Sequence, residues 1–141
     1  MKETINDKTL KELEELFAQK SYKTFRAKQV YRQIHVNKLD DFESMTDLPK
    51  SMREDLAKDF KFTKLKKIKE FKSKLDSTRK FLFELEDKNI IEAVYMDYED
   101  RKTICISSQV GCRMGCTFCA STKNGLVRSL SVGELIEEVY T

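Results

Sequence analysis

No run of apolar residues in this 141-residue chain approaches the roughly 20 needed to cross a bilayer as a helix. No signal peptide precedes the cysteines and the chain is not a small secreted scaffold, so a disulfide framework is not expected and reduced cytosol is the expected compartment. Proline occurs once, at Pro49, and histidine once, at His35. A lone histidine offers little to a metal site, and His35 reads as a surface or packing residue. Charge of one sign does not dominate either, since the formal net charge is +3 with 36% charged and 40% hydrophobic residues. The chain reads as soluble and cytoplasmic, with no membrane partner, and its length suits one ordinary domain or two small ones.

The small net charge conceals an uneven distribution. Residues 1–60 balance at twelve basic and twelve acidic, residues 61–80 carry nine basic against two acidic, and residues 81–100 carry one against seven. The stretch at 61–80 is the one strong basic patch. Such a patch is either a solvated strand face or a surface attracted to phosphate backbone.

Cysteine is scarce but concentrated, with three of four in the run C-R-M-G-C-T-F-C at Cys112, Cys116 and Cys119. A structural zinc site normally takes four protein ligands. Three thiolates at C-x₃-C-x₂-C spacing instead hold three irons of a [4Fe-4S] cluster and leave the fourth open to a small molecule. This spacing is the signature of radical S-adenosylmethionine (SAM) enzymes, in which the free iron takes the amino and carboxylate groups of SAM. Cys105 lies seven residues upstream and would complete a four-thiolate zinc set. Zinc ligands, however, usually come as two short knuckles separated by a longer loop, and this would be a single uneven run that starts inside a strand.

The first sixty residues predict three helices. Thr9-x-x-Glu12 is a capping box followed by Leu10, Leu13, Leu16 and Phe17 on one face. Thr24 is expected to cap a second helix with Phe25, Val30, Tyr31 and Ile34 as its buried stripe. The third begins near Asp47-Leu48-Pro49 and buries Met52, Leu56 and Phe60. From about residue 64 the period becomes alternating. Phe81, Phe83 and Leu85 precede a turn at Asp87-Lys88-Asn89, and Ile90 to Met96 resume the pattern, so a hairpin is predicted. A third strand is expected over Lys102 to Ser107. Its Ile104 and Ile106 would lie under helices, while Thr103, Cys105 and Ser107 would face a polar lumen. The cysteine loop at 108–130 follows, and Ser131-x-x-Glu134 opens a last helix with Leu135, Ile136 and Val139 on its apolar side. Strand, cysteine loop and helix stand in the order in which parallel α/β barrels place catalytic groups. One such unit cannot close a barrel, so the chain is expected to be the amino-terminal part of a longer enzyme.

The segments F-R-A-K-Q-V-Y at 25–31, D-F-E-S-M-T-D-L-P-K at 41–50, I-E-A-V-Y-M at 91–96 and C-I-S-S-Q-V-G-C-R-M-G-C-T-F-C-A-S-T at 105–122 closely resemble the RlmN/Cfr family of radical-SAM RNA adenine methyltransferases. The resemblance implies an α+β chain leading into α/β. A helical RNA-binding accessory domain would occupy 1–62, a β extension 63–100, and the start of an incomplete (β/α)6 barrel 101–141. It further implies SAM and a [4Fe-4S] cluster as cofactors, 23S rRNA and tRNA as substrates, an electron donor such as flavodoxin, and a monomer.

Carbon 2 of adenine is electrophilic, so in this family a cysteine is methylated first and its methyl carbon, as a radical, adds to the ring. By position, Glu92 matches the family's proton acceptor and Cys105 its resolving thiol, which forms a transient disulfide. Phe118 matches the aromatic beside the SAM adenine, though a packing role is open to it. From the residues alone, Ile90 and Val94 flank Glu92 on one side of its strand, and partial burial there would suit a base. The methyl-carrying cysteine, the glycine-rich SAM segment and the later strands are expected beyond Thr141, which leaves the isolated chain inactive. A carbon-8 enzyme of Cfr type and a zinc-stabilised or catalytically silent RNA-binding module remain as alternatives.

Overall fold

The computed structural model describes residues 2–141. They form two compact units, one ending at Thr63 and one running from Lys64 to Thr141.

In the first unit α1 (Leu10–Gln19) begins at the expected capping box. The Thr9 N–H donates to the Glu12 carboxylate at 2.7 Å, and the Glu12 N–H donates to Thr9 Oγ1 at 3.3 Å. Two donors that a helix start leaves open are thereby satisfied. Leu13 and Phe17 are fully buried, and Leu16 packs beside them. The second helix, α2 (Phe25–His35), departs from expectation at its start. Thr24 has helical backbone angles and makes no side-chain cap, because the turn is already closed by Arg26 N–H to the Lys23 carbonyl and Ala27 N–H to the Thr24 carbonyl. Its buried stripe is Ala27, Val30 and Ile34, with Tyr31 partly buried. Phe25 lies about 200° around the helix from Ala27 and is therefore 48% exposed, with the Arg26 guanidinium over its ring. His35 packs on Tyr31 at 4.2 Å between ring centroids, and burial lowers its pKa.

Pro49 immediately precedes α3 (Lys50–Asp59), where its missing N–H removes nothing from the helix. Met52 and Leu56 enter the same core as Leu13, Phe17 and Ile34. Each such side chain contributes about 1.5–3 kcal/mol on burial. Two short strands, β1 (Glu3–Thr4) and β2 (Phe60–Lys61), pair in parallel. Beside them the buried Asn6 side chain accepts from Thr63 N–H at 3.1 Å. Tyr22 Oη, donating to Asp55 at 2.6 Å, links the chain after α1 to α3.

The second unit opens with an antiparallel sheet in the order β3 (Lys66–Lys72), β4 (Arg79–Glu84), β5 (Ile90–Asp97) and β6 (Lys102–Cys105). The hairpin turn is one residue earlier than the sequence suggests. Leu85 N–H bonds the Asn89 carbonyl, so the loop is Glu86-Asp87-Lys88, with Lys88 at φ +70° and the Asp87 carboxylate receiving the Asn89 N–H. Phe83, Leu85, Ile91 and Ala93 fill the core with Val110 and Leu130. Opposed pairs Phe81 with Ala93 and Phe83 with Ile91 place these residues on one face, whereas Leu82 with Glu92 and Lys80 with Val94 belong to the other.

The third strand ends at Cys105 rather than at Ser107. Ser107 has left the ladder, with its hydroxyl donating to the Glu92 carbonyl at 2.8 Å and its N–H to Glu138 at 3.0 Å. Ile104 and Ile106 are 44% and 38% exposed and so do not lie under helices. A second hairpin, β7 (Gln109–Gly111) with β8 (Leu126–Ser129), leads into α4 (Val132–Tyr140). The Ser131/Glu134 capping box is present. Leu135 packs on the core, but Val139 is exposed and Glu138 is buried in its stead, because Ser107 N–H holds that side of the helix against the β6–β7 link.

Candidate active site and cluster loop

The three clustered cysteines occupy the loop between β7 and β8, and a pair of glycines closes its base. Gly111 has φ +74°, and a Cβ on it would stand 2.0 Å from the Gly125 carbonyl oxygen. Only glycine fits there. That carbonyl in turn accepts the Cys112 N–H at 3.0 Å. Gly115, at φ +71°, turns the chain between Cys112 and Cys116. Further along, the Cys116 carbonyl accepts the Cys119 N–H at 3.1 Å, and Thr122 Oγ1 donates to the Cys116 and Cys119 carbonyls at 3.2 and 3.0 Å. Sequence reasoning missed this role of Thr122. Its signal was a hydroxyl three residues after Cys119, where short polar side chains bond back to preceding carbonyls.

Cys112, Cys116 and Cys119 are free and half-buried. Among the described residues no three Cys, His, Asp or Glu side chains are gathered as a ready metal cage. The donor set nevertheless fits an iron–sulfur cluster in kind and number: three thiols in one loop, with no fourth thiol or imidazole inside it. Phe118 is 92% exposed. The packing role that its sequence position leaves open is not what the structure gives it.

Cys105 lies outside the loop, opposite Val94 at the sheet's margin, and is exposed. Directly opposed residues share a face, so Cys105 stands on the face that carries Val94 and Glu92, as the diagonal neighbour of Glu92 across two strands. The structure therefore brings the two candidate catalytic groups together. It does not bury Glu92, whose side chain is 57% exposed, nor Ile90 beside it at 54%. The expected partial burial fails because the apolar side of β5 is the Ile91 and Ala93 side. Instead, Lys80 Nζ stands 3.2 Å from Glu92 Oε1 as its ion-pair partner. A cleft of about 470 Å³ opens here, lined by Glu92 and Ser107 on one side and by Gly111, Ala120, Asn124 and Val127 of the cysteine hairpin on the other.

Two charged groups unforeseen from the sequence hold this unit in place. Arg128 on β8 donates through Nε to Asp87 at 2.6 Å and through both terminal nitrogens to Glu134 at 2.7 and 2.8 Å. The guanidinium holds the Asp87 carboxyl down at about 2, and the two carboxylates raise the arginine pKa. Burial pushes the Glu138 carboxyl up to about 7, against the opposing pull of the Ser107 N–H.

A crystal structure of a radical SAM methyltransferase from Sphaerobacter thermophilus matches 97% of this chain at a TM-score of 0.85 and 40% identity, the match covering 40% of that protein. Residues 4–62 match the family model of the ribosomal RNA large subunit methyltransferase N-terminal domain. "Probable dual-specificity RNA methyltransferase RlmN" of Lachnoclostridium phytofermentans is 47% identical over 132 residues, and its namesake of Geobacillus kaustophilus is 48% identical over 131. These alignments cover 94% and 93% of the chain but only 37% and 36% of the relatives. The chain is RlmN-like through both of its units, and it spans less than two fifths of the length of these curated relatives. Among the described residues no helix is long and apolar enough to cross a membrane.

Proposed function

We propose that the chain is part of an RNA methyltransferase that places a methyl group on carbon 2 of an adenine in 23S rRNA and in tRNA through a methyl-cysteine intermediate. The observation that carries this reading is the shared sheet face of Glu92 and Cys105. A base and a thiol on adjacent strands, beside a cleft walled by the cysteine hairpin, suit the last steps of such a reaction. The names of the relatives, dual-specificity RNA methyltransferases, support RNA as substrate.

Cys112, Cys116 and Cys119 would hold the [4Fe-4S] cluster, and Phe118 would meet the adenine of SAM. When bound, these cofactors supply a carbon-centred radical, which no side chain provides. The chain's own residues act after the carbon–carbon bond has formed. Once the adduct has lost its unpaired electron to a one-electron acceptor, Glu92 takes the ring proton. The Cys105 thiolate attacks the sulfur of the methyl-carrying cysteine, which is a residue outside these 141. A sulfur–sulfur bond forms as the sulfur–carbon bond breaks, the electron pair stays with the methylene carbon, and that carbon takes a proton from solvent to become the new methyl group. The disulfide then needs an external thiol reductant, and radical formation needs an electron from a flavodoxin-type donor. We further propose a cytoplasmic monomer, with residues 1–62 contacting RNA, 63–100 as an extension, and 101–141 beginning the SAM-binding barrel. The isolated chain is proposed to bind RNA in a salt-sensitive way and to be inactive alone.

Substituting Cys105 by Ala, or Glu92 by Gln, in the full-length enzyme tests the assignment. SAM cleavage should persist while protein accumulates covalently bound to RNA. Normal turnover in either variant would remove that residue from the chemistry. Mapping the methyl group to carbon 8 would replace the carbon-2 reading, and reconstitution yielding zinc without iron or sulfide would replace the cluster.

A further inference from the structure

The sheet face that carries Glu92 and Cys105 continues beyond them. Register places Phe71, Lys80, Val94 and Cys105 opposite one another across β3, β4, β5 and β6, in one transverse row. The neighbouring row is Lys69, Leu82 and Glu92. At about 4.8 Å per strand, Phe71 and Cys105 are separated by roughly 14 Å.

Phe71 is unusual in this setting. It is 41% exposed on an edge strand, with Lys69 Nζ 4.7 Å and Lys80 Nζ 5.3 Å from its ring centroid. Lysines on an edge strand are accounted for by protection against edge-to-edge pairing. An exposed aromatic ring held between two of them is not. An aromatic face beside ammonium groups is what unstacked RNA bases and their phosphates recognise, and residues 61–80 carry nine basic against two acidic side chains.

We propose that this row is a track for single-stranded RNA, on which Phe71 stacks a base flanking the target adenine while Lys69 and Lys80 hold the adjoining phosphates. The inference rests on the RNA methyltransferase reading and adds to it a subsite and the strandedness of the substrate. Lys80 then has two partners, Glu92 in the free protein and phosphate in the complex.

The chain contains no tryptophan, so Phe71→Trp makes a single reporter. Its emission should be quenched by a short oligoadenylate and unchanged by an abasic ribose-phosphate oligomer of the same length. Phe71→Ala should weaken oligoadenylate binding about tenfold with an unaltered salt slope, whereas Lys69→Gln should reduce that slope by about one. Wild-type affinity in Phe71→Ala, equal quenching by the abasic oligomer, or a blue-shifted emission indifferent to RNA because protein covers the ring would each overturn the track. If those results came with carbon-2 methylation by the full-length enzyme, the track would fall and the methyltransferase reading would stand. Absence of any RNA binding by the wild-type chain would count against both.

Discussion

Gly111 and Gly125 meet backbone to backbone, so that the position before the first cluster cysteine has no room for even a methyl group. The contact fixes where the cysteine loop leaves and re-enters its hairpin, and it couples Cys112 N–H to the Gly125 carbonyl. Gly111→Ala combines a left-handed backbone with a clash against a carbonyl. It should cost about 3 kcal/mol or more. Lower thermal stability, together with reduced iron and sulfide content after anaerobic reconstitution, is the expected result although every thiol is intact.

Replacing Cys112, Cys116 or Cys119 singly by Ala in the full-length enzyme should abolish both the brown chromophore and SAM cleavage, because two thiolates leave two irons unprotected. Cys105→Ala should keep both. Absorption spectra of the four variants check the division between the loop and the sheet face.

Much of this division was legible in the sequence. The two capping boxes and the change of period near residue 64 rest on local rules that are met in the fold, as the cysteine spacing rests on local sequence, whereas the expected Thr24 cap is not formed. What escaped depends on pairing. Which side of β5 is buried was misjudged because Glu92 sits between apolar neighbours on both faces, and only the register with Phe83 and Leu82 decides between them. Arg128 carries no local signal, since its partners Asp87 and Glu134 are 41 and 6 residues away. Glu138 was masked by Val139, which has the right character at nearly the right helical angle.

Arg128→Ala should destabilise the second unit by about 2 kcal/mol, a figure kept modest because the guanidinium is one-third exposed and partly screened. The Asp87 contribution has a definite sign. Its folded pKa, about 2, is below the ordinary 3.8, so the stability it adds is present above 3.8 and lost as pH falls through 2. Acid unfolding of the wild type should show that loss, and Arg128→Ala should reduce it, leaving the part that the Asn89 N–H contributes.

Glu138 acts in the opposite direction. Its folded pKa, about 7, exceeds the ordinary 4.5, so its contribution is complete below 4.5 and is lost as pH rises through 7. Glu138→Gln keeps an acceptor for Ser107 and removes the charge. Its melting temperature should match the wild type near pH 4.5 and exceed it at pH 8.

The two shortest strands have a consequence out of proportion to their length. Since β1 and β2 lie side by side, the helical unit is knotted off where the polypeptide enters and leaves it. Helices tied in this way have no loose end from which to fray. Amide hydrogens of α1, α2 and α3 should therefore exchange together, at the rate of a single opening event, rather than in a gradient running inward from one terminus.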